Sequence, residues 1–286
     1  MSECPPGDLE MPHATAAPAA QALPRTATLL NLDAAITRLP GHQFGPFNLC
    51  VKPGERVAIL GPSGAGKSTL LKLMSAELGL QSGAVIFEGQ ALSAWSAAAL
   101  ATRRAVLPQS HAVAFDLPVA LVVSLGRVAR AVDLQQSQIV TQALCLARAG
   151  HLAKRRFDTL SGGEQARVQL ARVFAQLWDE RAGLVLVDEP LAALDPGLQF
   201  ELMDAMQQFT QERGHALVAV LHDINQALSH FERLWLVAAG QLQADLQADA
   251  AAVPALEALY GIGLRCVTHA DGGLAVLPQR ATVLND

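Results

Sequence analysis

The chain of 286 residues is long enough for one large domain or two small ones, and 51% hydrophobic content with a mean hydropathy of +0.27 promises a sizeable core. A net charge of -5 gives no basis for nucleic-acid binding through bulk charge, and Cys4, Cys50, Cys145 and Cys266 lack metal-type spacing, reading instead as reduced thiols of a cytosolic protein. No stretch reaches the ~18 uncharged apolar residues of a membrane span; the nearest, Leu117 to Gly126, contains a proline and is bounded by Asp116 and Arg127. The amino terminus lacks a basic region followed by a compact apolar block, so a secretory signal is not expected and membrane association must come through a partner.

Residues 1–26, rich in Ala and Pro without periodicity, read as a disordered tail. Residues 27–56 read as one or two strands, with turns at Pro40-Gly41 and Pro53-Gly54. The apolar run Val57-Ala58-Ile59-Leu60 then meets Gly61-Pro62-Ser63-Gly64-Ala65-Gly66-Lys67-Ser68-Thr69 and the helical Leu70-Leu71-Lys72-Leu73-Met74. A buried strand, a glycine-rich turn and a helix are the context that the GxxxxGK[ST] pattern requires. Glycines let the backbone curl around an anion with its N–H groups inward, and the helix start adds unpaired donors and partial positive charge. Lys67 can bridge the β- and γ-phosphates and the Ser68 hydroxyl can ligate Mg2+, so the stretch reads as a nucleoside-triphosphate site.

Beyond it, Gly83 to Gly89 reads as a strand ending in a turn, Ala91 to Leu100 as a helix, and Arg104 to Leu107 as a short strand leading to Pro108-Gln109. From Ser110 the pattern turns helical, with helices expected at Val119–Arg130 and Ser137–Ala149, so that residues 110–160 read as an inserted helical subdomain. Ser161 to Trp178 is a further helix. Leu184–Val187, Leu217–Leu221 and Leu234–Val237 are continuous apolar runs, as suits parallel strands covered on both faces, and Gly197–Arg213 is the crossover helix between the first two. There is no internal repeat.

Val187-Asp188-Glu189-Pro190 closes one of these strands. A carboxylate at the carboxyl end of a strand beside a phosphate loop is placed to hold Mg2+, which suits Asp188; Glu189 is placed to polarise a water attacking the γ-phosphate. Leu160-Ser161-Gly162-Gly163-Glu164-Gln165 opens a helix and presents a hydroxyl and backbone donors to an anion, although an ordinary N-cap at Ser161 fits the local sequence equally well.

With both cradles in view, residues 27–245 resemble an ATP-binding cassette (ABC) ATPase. The family's motifs stand in order: Walker A at Gly61–Thr69, Q-loop Gln109, signature Leu160–Gln165, Walker B Leu184–Glu189, D-loop Ala193-Leu194-Asp195 and switch His222 in Leu221-His222-Asp223. The resemblance implies an α/β P-loop NTPase fold: a RecA-like core, an antiparallel β subdomain and the inserted helical subdomain. It further implies that two copies pair head to tail and share ATP between Lys67 of one and Ser161, Gly162 and Gly163 of the other. Gln109 would sense the γ-phosphate and Mg2+, His222 would hold the γ-phosphate and the attacking water, and Asp195 would signal across the interface.

The family's adenine-stacking aromatic has no counterpart at its expected place near Arg38; Arg38 or His42 is a candidate to stack on the base, and Phe44 reads more simply as core. Leu92–Ser96, Arg103–Gln109, Leu160–Trp178 and Leu221–Asn225 resemble the ATP-binding subunits of bacterial haemin importers, a branch that also serves ferric siderophores and vitamin B12. The implied partners are a second ATPase subunit, two membrane permease subunits and, through the assembled complex, a periplasmic substrate-binding protein, with no nucleic acid. That places the chain peripherally on the cytoplasmic face of the inner membrane. A non-transport ABC ATPase would carry two cassettes or a coiled-coil insertion, and a regulatory module without turnover would lack Glu189 or His222. Ser110 to Arg130 is expected to receive a short permease helix, and residues 246–286 resemble the branch's carboxyl-terminal extension, to which no role is assigned.

Overall fold

The computed structural model describes residues 28–109, 117–189, 194–268 and 273–279. The expected tail at 1–26, the segment 110–116 with Val113 and Phe115, and Pro190 with Ala193 lie outside the described residues. In chain order the elements are β1 (Leu30–Leu39), β2 (His42–Val51), β3 (Arg56–Leu60), α1 (Lys67–Met74), β4 (Ser82–Phe87), β5 (Gln90–Ala91), α2 (Ala97–Arg103), β6 (Arg104–Leu107), α3 (Val119–Ser124) and α4 (Gln136–Leu146). There follow α5 (Gly162–Leu177), β7 (Leu184–Asp188), α6 (Pro196–Arg213), β8 (Ala216–Val220), α7 (Ile224–His230), β9 (Arg233–Ala238), β10 (Gln241–Gln247), α8 (Val253–Tyr260), β11 (Gly263–Thr268) and β12 (Leu274–Gln279).

The central sheet runs β10-β9-β3-β8-β7-β6, parallel throughout except for the β9–β10 edge. Its strands read as unbroken apolar runs because both faces are covered. Val57 and Ile59 of β3, Leu184 and Leu186 of β7, Val218 and Val220 of β8, and Trp235 and Val237 of β9 enter one core. Their neighbours Ala58, Leu60, Val185, Val187, Leu217, Ala219, Leu234 and Leu236 enter the other. Each buried Val, Leu or Ile contributes roughly 1.5–3 kcal/mol, and strands covered on both faces collect that contribution at nearly every position. The first core is closed by α1 and by an antiparallel sheet, β2-β1-β4-β5; the second is closed by α3 to α6 and reaches α8.

Parallel strands have a consequence for placement. β3, β8, β7 and β6 are neighbours that point the same way, so the residues just past their ends, Gly61, Leu221-His222, Glu189 and Pro108-Gln109, emerge along one edge of the sheet.

Two expected helices come out differently. Ala91–Leu100 is broken: a 3-10 turn at Leu92–Ala94 gives way to extended backbone at Trp95, and Ser96 caps a new helix by accepting from the Ala99 N–H at 3.2 Å. Trp95 causes the break, since its ring packs on Phe87 (centroids 5.3 Å apart) and its Nε1–H donates to the Phe87 carbonyl at 3.3 Å. Val119–Arg130 is α-helical only to Ser124 and tightens into a 3-10 turn at Leu125–Arg127. There Gly126 meets α5 so closely that a Cβ would lie 2.4 Å from the Arg172 carbonyl oxygen. The Ser137–Ala149 expectation corresponds to α4, which stops at Leu146.

Arg127 is buried at that contact. Its guanidinium donates to Asp133, to Asp179 at 2.8 Å and to the Ala175 carbonyl at 3.0 Å, and Arg130 adds a contact to Glu180 at 3.0 Å. The same stretch of α5 is fixed to the central sheet. Arg172 donates to the Val106 carbonyl at 3.0 Å, and the Gln176 amide donates to the carbonyls of Ala101 and Arg104 at 2.8 and 2.9 Å.

Candidate nucleotide site

The loop Gly61–Gly66 turns from β3 into α1 with Gly64 and Gly66 at φ 74° and 99°, a region open to glycine at little steric cost. Gly61 is glycine for a different reason: a Cβ there would sit 2.0 Å from the Val237 carbonyl oxygen of β9. Behind the loop the Phe44 ring presses on Gly66, where a Cβ would fall 2.8 Å from it. Phe44 therefore packs on the loop, as its reading as core implies, and the exposed His42 ring lies 6.5 Å from it in edge contact. Arg38, also exposed, donates to the Gln43 amide oxygen at 3.3 Å.

Lys67 opens α1 and is buried. Its ammonium donates to the Gly61 and Pro62 carbonyls at 2.9 and 3.0 Å, bonds that phosphate oxygens can replace. Burial pushes its pKa down from the ordinary lysine value, against the opposing pull of Glu189 and Asp188. Ser68 donates its hydroxyl to Asp188 at 2.9 Å. Asp188 ends β7 in the interior, and burial raises its pKa above the usual carboxylate value although the Ser68 bond opposes this. A desolvated carboxylate beside a hydroxyl is a hard-oxygen pair that fits Mg2+. Among the described residues no three His, Cys, Asp or Glu side chains form a metal cluster. Thr69 continues the helix behind Ser68.

Past Asp188 the chain turns sharply at Glu189, which adopts φ 47°. For a residue with a side chain this left-handed conformation is strained. The turn directs the Glu189 carboxylate between two motifs: one oxygen accepts from the Gln109 amide at 2.8 Å and the other lies 2.7 Å from His222 Nε2. Three residues distant in sequence thus meet at one carboxylate, with Lys67 and the Ser68–Asp188 pair beside them.

Ser161, Gly162 and Gly163 stand elsewhere, at the start of α5. Ser161 is the N-cap in a full capping box: its oxygen accepts from the Glu164 N–H, while the Glu164 carboxylate accepts from the Ser161 N–H at 2.8 Å. Ser161 and Gly162 are exposed, and Gly163 backs onto Leu194 and Leu198. Asp195 is likewise an N-cap, of α6, accepting from the Leu198 N–H at 3.0 Å. The capping reading of Ser161 therefore holds within the single chain, and Ser161 and Gly162 stay exposed at the start of α5.

One contact had no sequence reading. Tyr260, the chain's only tyrosine, places its hydroxyl 3.1 Å from the Gly61 N–H and accepts from it. Its signals were present, a helical run ended by Tyr260-Gly261, but nothing local tells where α8 docks.

Known proteins match this layout. The ABC transporter family model matches residues 44–192. The hemin import ATP-binding protein HmuV of Methylobacillus flagellatus is 40% identical over 240 residues, 82% of this chain and 89% of that protein. HmuV of Pseudomonas aeruginosa is 40% identical over 237 residues, covering 82% and 92%. Among solved structures, a metal-chelate type ABC transporter in an inward-facing conformation superposes with a TM-score of 0.75 at 23% identity, covering 90% of this chain and all of that one. A dimeric ATP-binding cassette bound to ADP and Pi gives 0.68 at 24% identity, covering 77% and 99%. Phosphate loop, parallel sheet, helical insert and overall sequence agree: the chain belongs to the ABC transporter family and carries its ATP-hydrolysing cassette.

Proposed function

We propose that this cassette is the motor of a bacterial haemin importer and that the residues assembled at the sheet edge perform its hydrolysis. The observation that carries the catalytic part is Glu189, held between Gln109 and His222 beside the phosphate loop. In this reading the backbone donors of Gly61–Thr69 cradle the phosphates and Lys67 exchanges its two carbonyl partners for the β- and γ-phosphate oxygens. Ser68, Asp188 and Gln109 are the groups that would hold Mg2+, which when bound neutralises charge on the phosphates. Glu189 accepts the proton of the attacking water, and His222 orients that water against the γ-phosphate. Arg38 or His42, both exposed, is the side chain that would stack on the adenine.

Ser161, Gly162 and Gly163 act on the ATP held by a second copy, in a head-to-tail homodimer, and Asp195 lies at that interface. Among the described residues no helix is long and apolar enough to cross a membrane, and the proposed site of action is the cytoplasmic face of the inner membrane, reached through two permease subunits. A periplasmic binding protein would supply substrate from the far side. Of the apolar residues expected to receive a permease helix, Val119, Val122 and Val123 are core. Leu121, Leu125 and Val128 are 46%, 44% and 79% exposed and follow one another at helical spacing, which supports this stripe as the docking surface.

Haemin rests on the relatives' names and identities. The test is uptake by proteoliposomes containing the cognate permease with this subunit. ATP-dependent accumulation of haemin, in preference to a ferric siderophore or cobalamin, is expected; transport of either competitor alone overturns the haemin assignment and leaves the motor reading in place.

A further inference from the structure

The carboxyl-terminal residues 250–268 and 273–279 touch the candidate site at two separate places. At the first, Tyr260 supplies the acceptor for the Gly61 N–H, the first residue of the phosphate loop and 199 positions away. Gly61 is thereby gripped from two sides, by the Tyr260 hydroxyl and by the Val237 carbonyl, which leaves no room for a Cβ. At the second, the Asn225 side chain pairs with the backbone of Val276 in both directions. Its amide donates to the Val276 carbonyl at 3.1 Å and its oxygen accepts from the Val276 N–H at 2.7 Å. Asn225 lies in the first turn of α7, and Asp223, the cap of that helix, directly follows His222. Hence β12 holds the turn that presents His222 to Glu189.

The segment is firm enough to transmit this grip. Ala252, Val253, Leu256, Leu264 and Val276 are buried in the same core as β9, and Glu257 accepts from the Leu264 N–H at 2.6 Å, tying α8 to β11. We propose that residues 250–268 and 273–279 form a brace that sets the phosphate loop and the His222 turn against one another, with Tyr260 and Asn225 as positioning residues for nucleotide binding and for turnover, respectively. This rests on the reading of Gly61–Thr69 as the phosphate cradle and of His222 as part of the hydrolytic centre.

The two contacts predict different kinetic signatures. Tyr260→Phe keeps the ring and removes only the acceptor; it should raise both the KM for ATP and the Kd of a fluorescent ATP analogue, each by about 5-fold, the scale of one lost hydrogen bond, with kcat little changed. Asn225→Ala should lower kcat by a similar factor with KM and Kd unchanged. Asn225→Asp, which keeps the acceptor for the Val276 N–H, should recover part of that loss. Lys67→Ala and His222→Ala in the same assays test the underlying site reading separately: if these abolish binding or turnover while Tyr260→Phe and Asn225→Ala leave KM, Kd and kcat unaltered, the brace is overturned and the site stands. An equal fall in kcat for both variants with unchanged KM, together with a lowered Tm, also overturns it, because that is loss of folded protein.

Discussion

At the carboxyl edge of the central sheet, Lys67 is held by two carbonyls of its own loop, and Asp188 by one serine hydroxyl. In the helical subdomain Arg127 is held by two carboxylates and a carbonyl. Both regions bury charge. In the first, the partners of Lys67 and Asp188 are neutral groups that a phosphate or a cation can displace; in the second, Arg127 is matched by the carboxylates of Asp133 and Asp179. Glu189, at φ 47°, adds a strained backbone to the first region. A site proposed to exchange ligands keeps its charges incompletely matched, whereas Arg127 is fixed in place by opposite charges.

Glu189→Gln should separate the two regions most sharply. Removing the charge while keeping the shape should cost about 10²- to 10⁴-fold in kcat, with ATP binding retained and an ATP-stabilised dimer on gel filtration. Hydrolysis at the normal rate would show that Glu189 is not the base. Arg127→Leu tests the other side: it strands Asp133 and leaves Asp179 only its contact with Arg130 at 3.6 Å, which should lower unfolding stability by about 3 kcal/mol in urea denaturation. At a temperature where the variant remains folded, nucleotide affinity should be unchanged.

His215 belongs to neither region and calibrates both. It is fully buried, accepts from the Gly183 N–H at 2.8 Å and lies against Phe209, and burial pushes its pKa down to about 3. The unfolded chain takes up a proton at His215 below about pH 6.5 and the folded protein does not. Stability is therefore fully present above that pH and falls as pH drops toward 3, by about 2 kcal/mol between pH 6.5 and 5 from this group alone. His215→Gln should be less stable at pH 7.5 and should lose less on acidification; equal slopes for the two proteins would remove His215 from the account. The smallest effect is expected at the stripe. Leu121→Asp or Val128→Asp should shift stability by no more than about 0.5 kcal/mol and leave basal ATPase activity intact, yet prevent co-purification with the permease. Continued assembly and uptake would place the docking surface elsewhere.

What was legible in the sequence follows from how locally each feature is specified. The phosphate loop was legible because strand, glycines and helix are contiguous, and the parallel sheet because burial on both faces writes unbroken apolar runs. The break at Trp95 was not, because its cause is a contact with Phe87 on another strand. The meeting of Gln109 and Glu189, 80 positions apart, is set by adjacency of β6 and β7, and strand order is not written in either motif. The brace was least legible of all: Pro254 and Gly261 mark where α8 begins and ends, but only the folded core decides that Tyr260 reaches Gly61.

The pins on α5 have a mechanical consequence. Arg172 and Gln176 fasten the carboxyl-terminal half of this helix to the strand that leads to Gln109 and to the segment before it, while Ser161 stands at its opposite end. From Arg172 to Ser161 the rod extends about 16 Å at the α-helical rise. A tilt of about 10° at the pins sweeps Ser161 through about 3 Å, the length of a hydrogen bond. The helix thus has the form of a lever with Ser161 at the end of its long arm, and in the proposed head-to-tail dimer such a tilt would make or break the contact of Ser161 with the second copy's ATP.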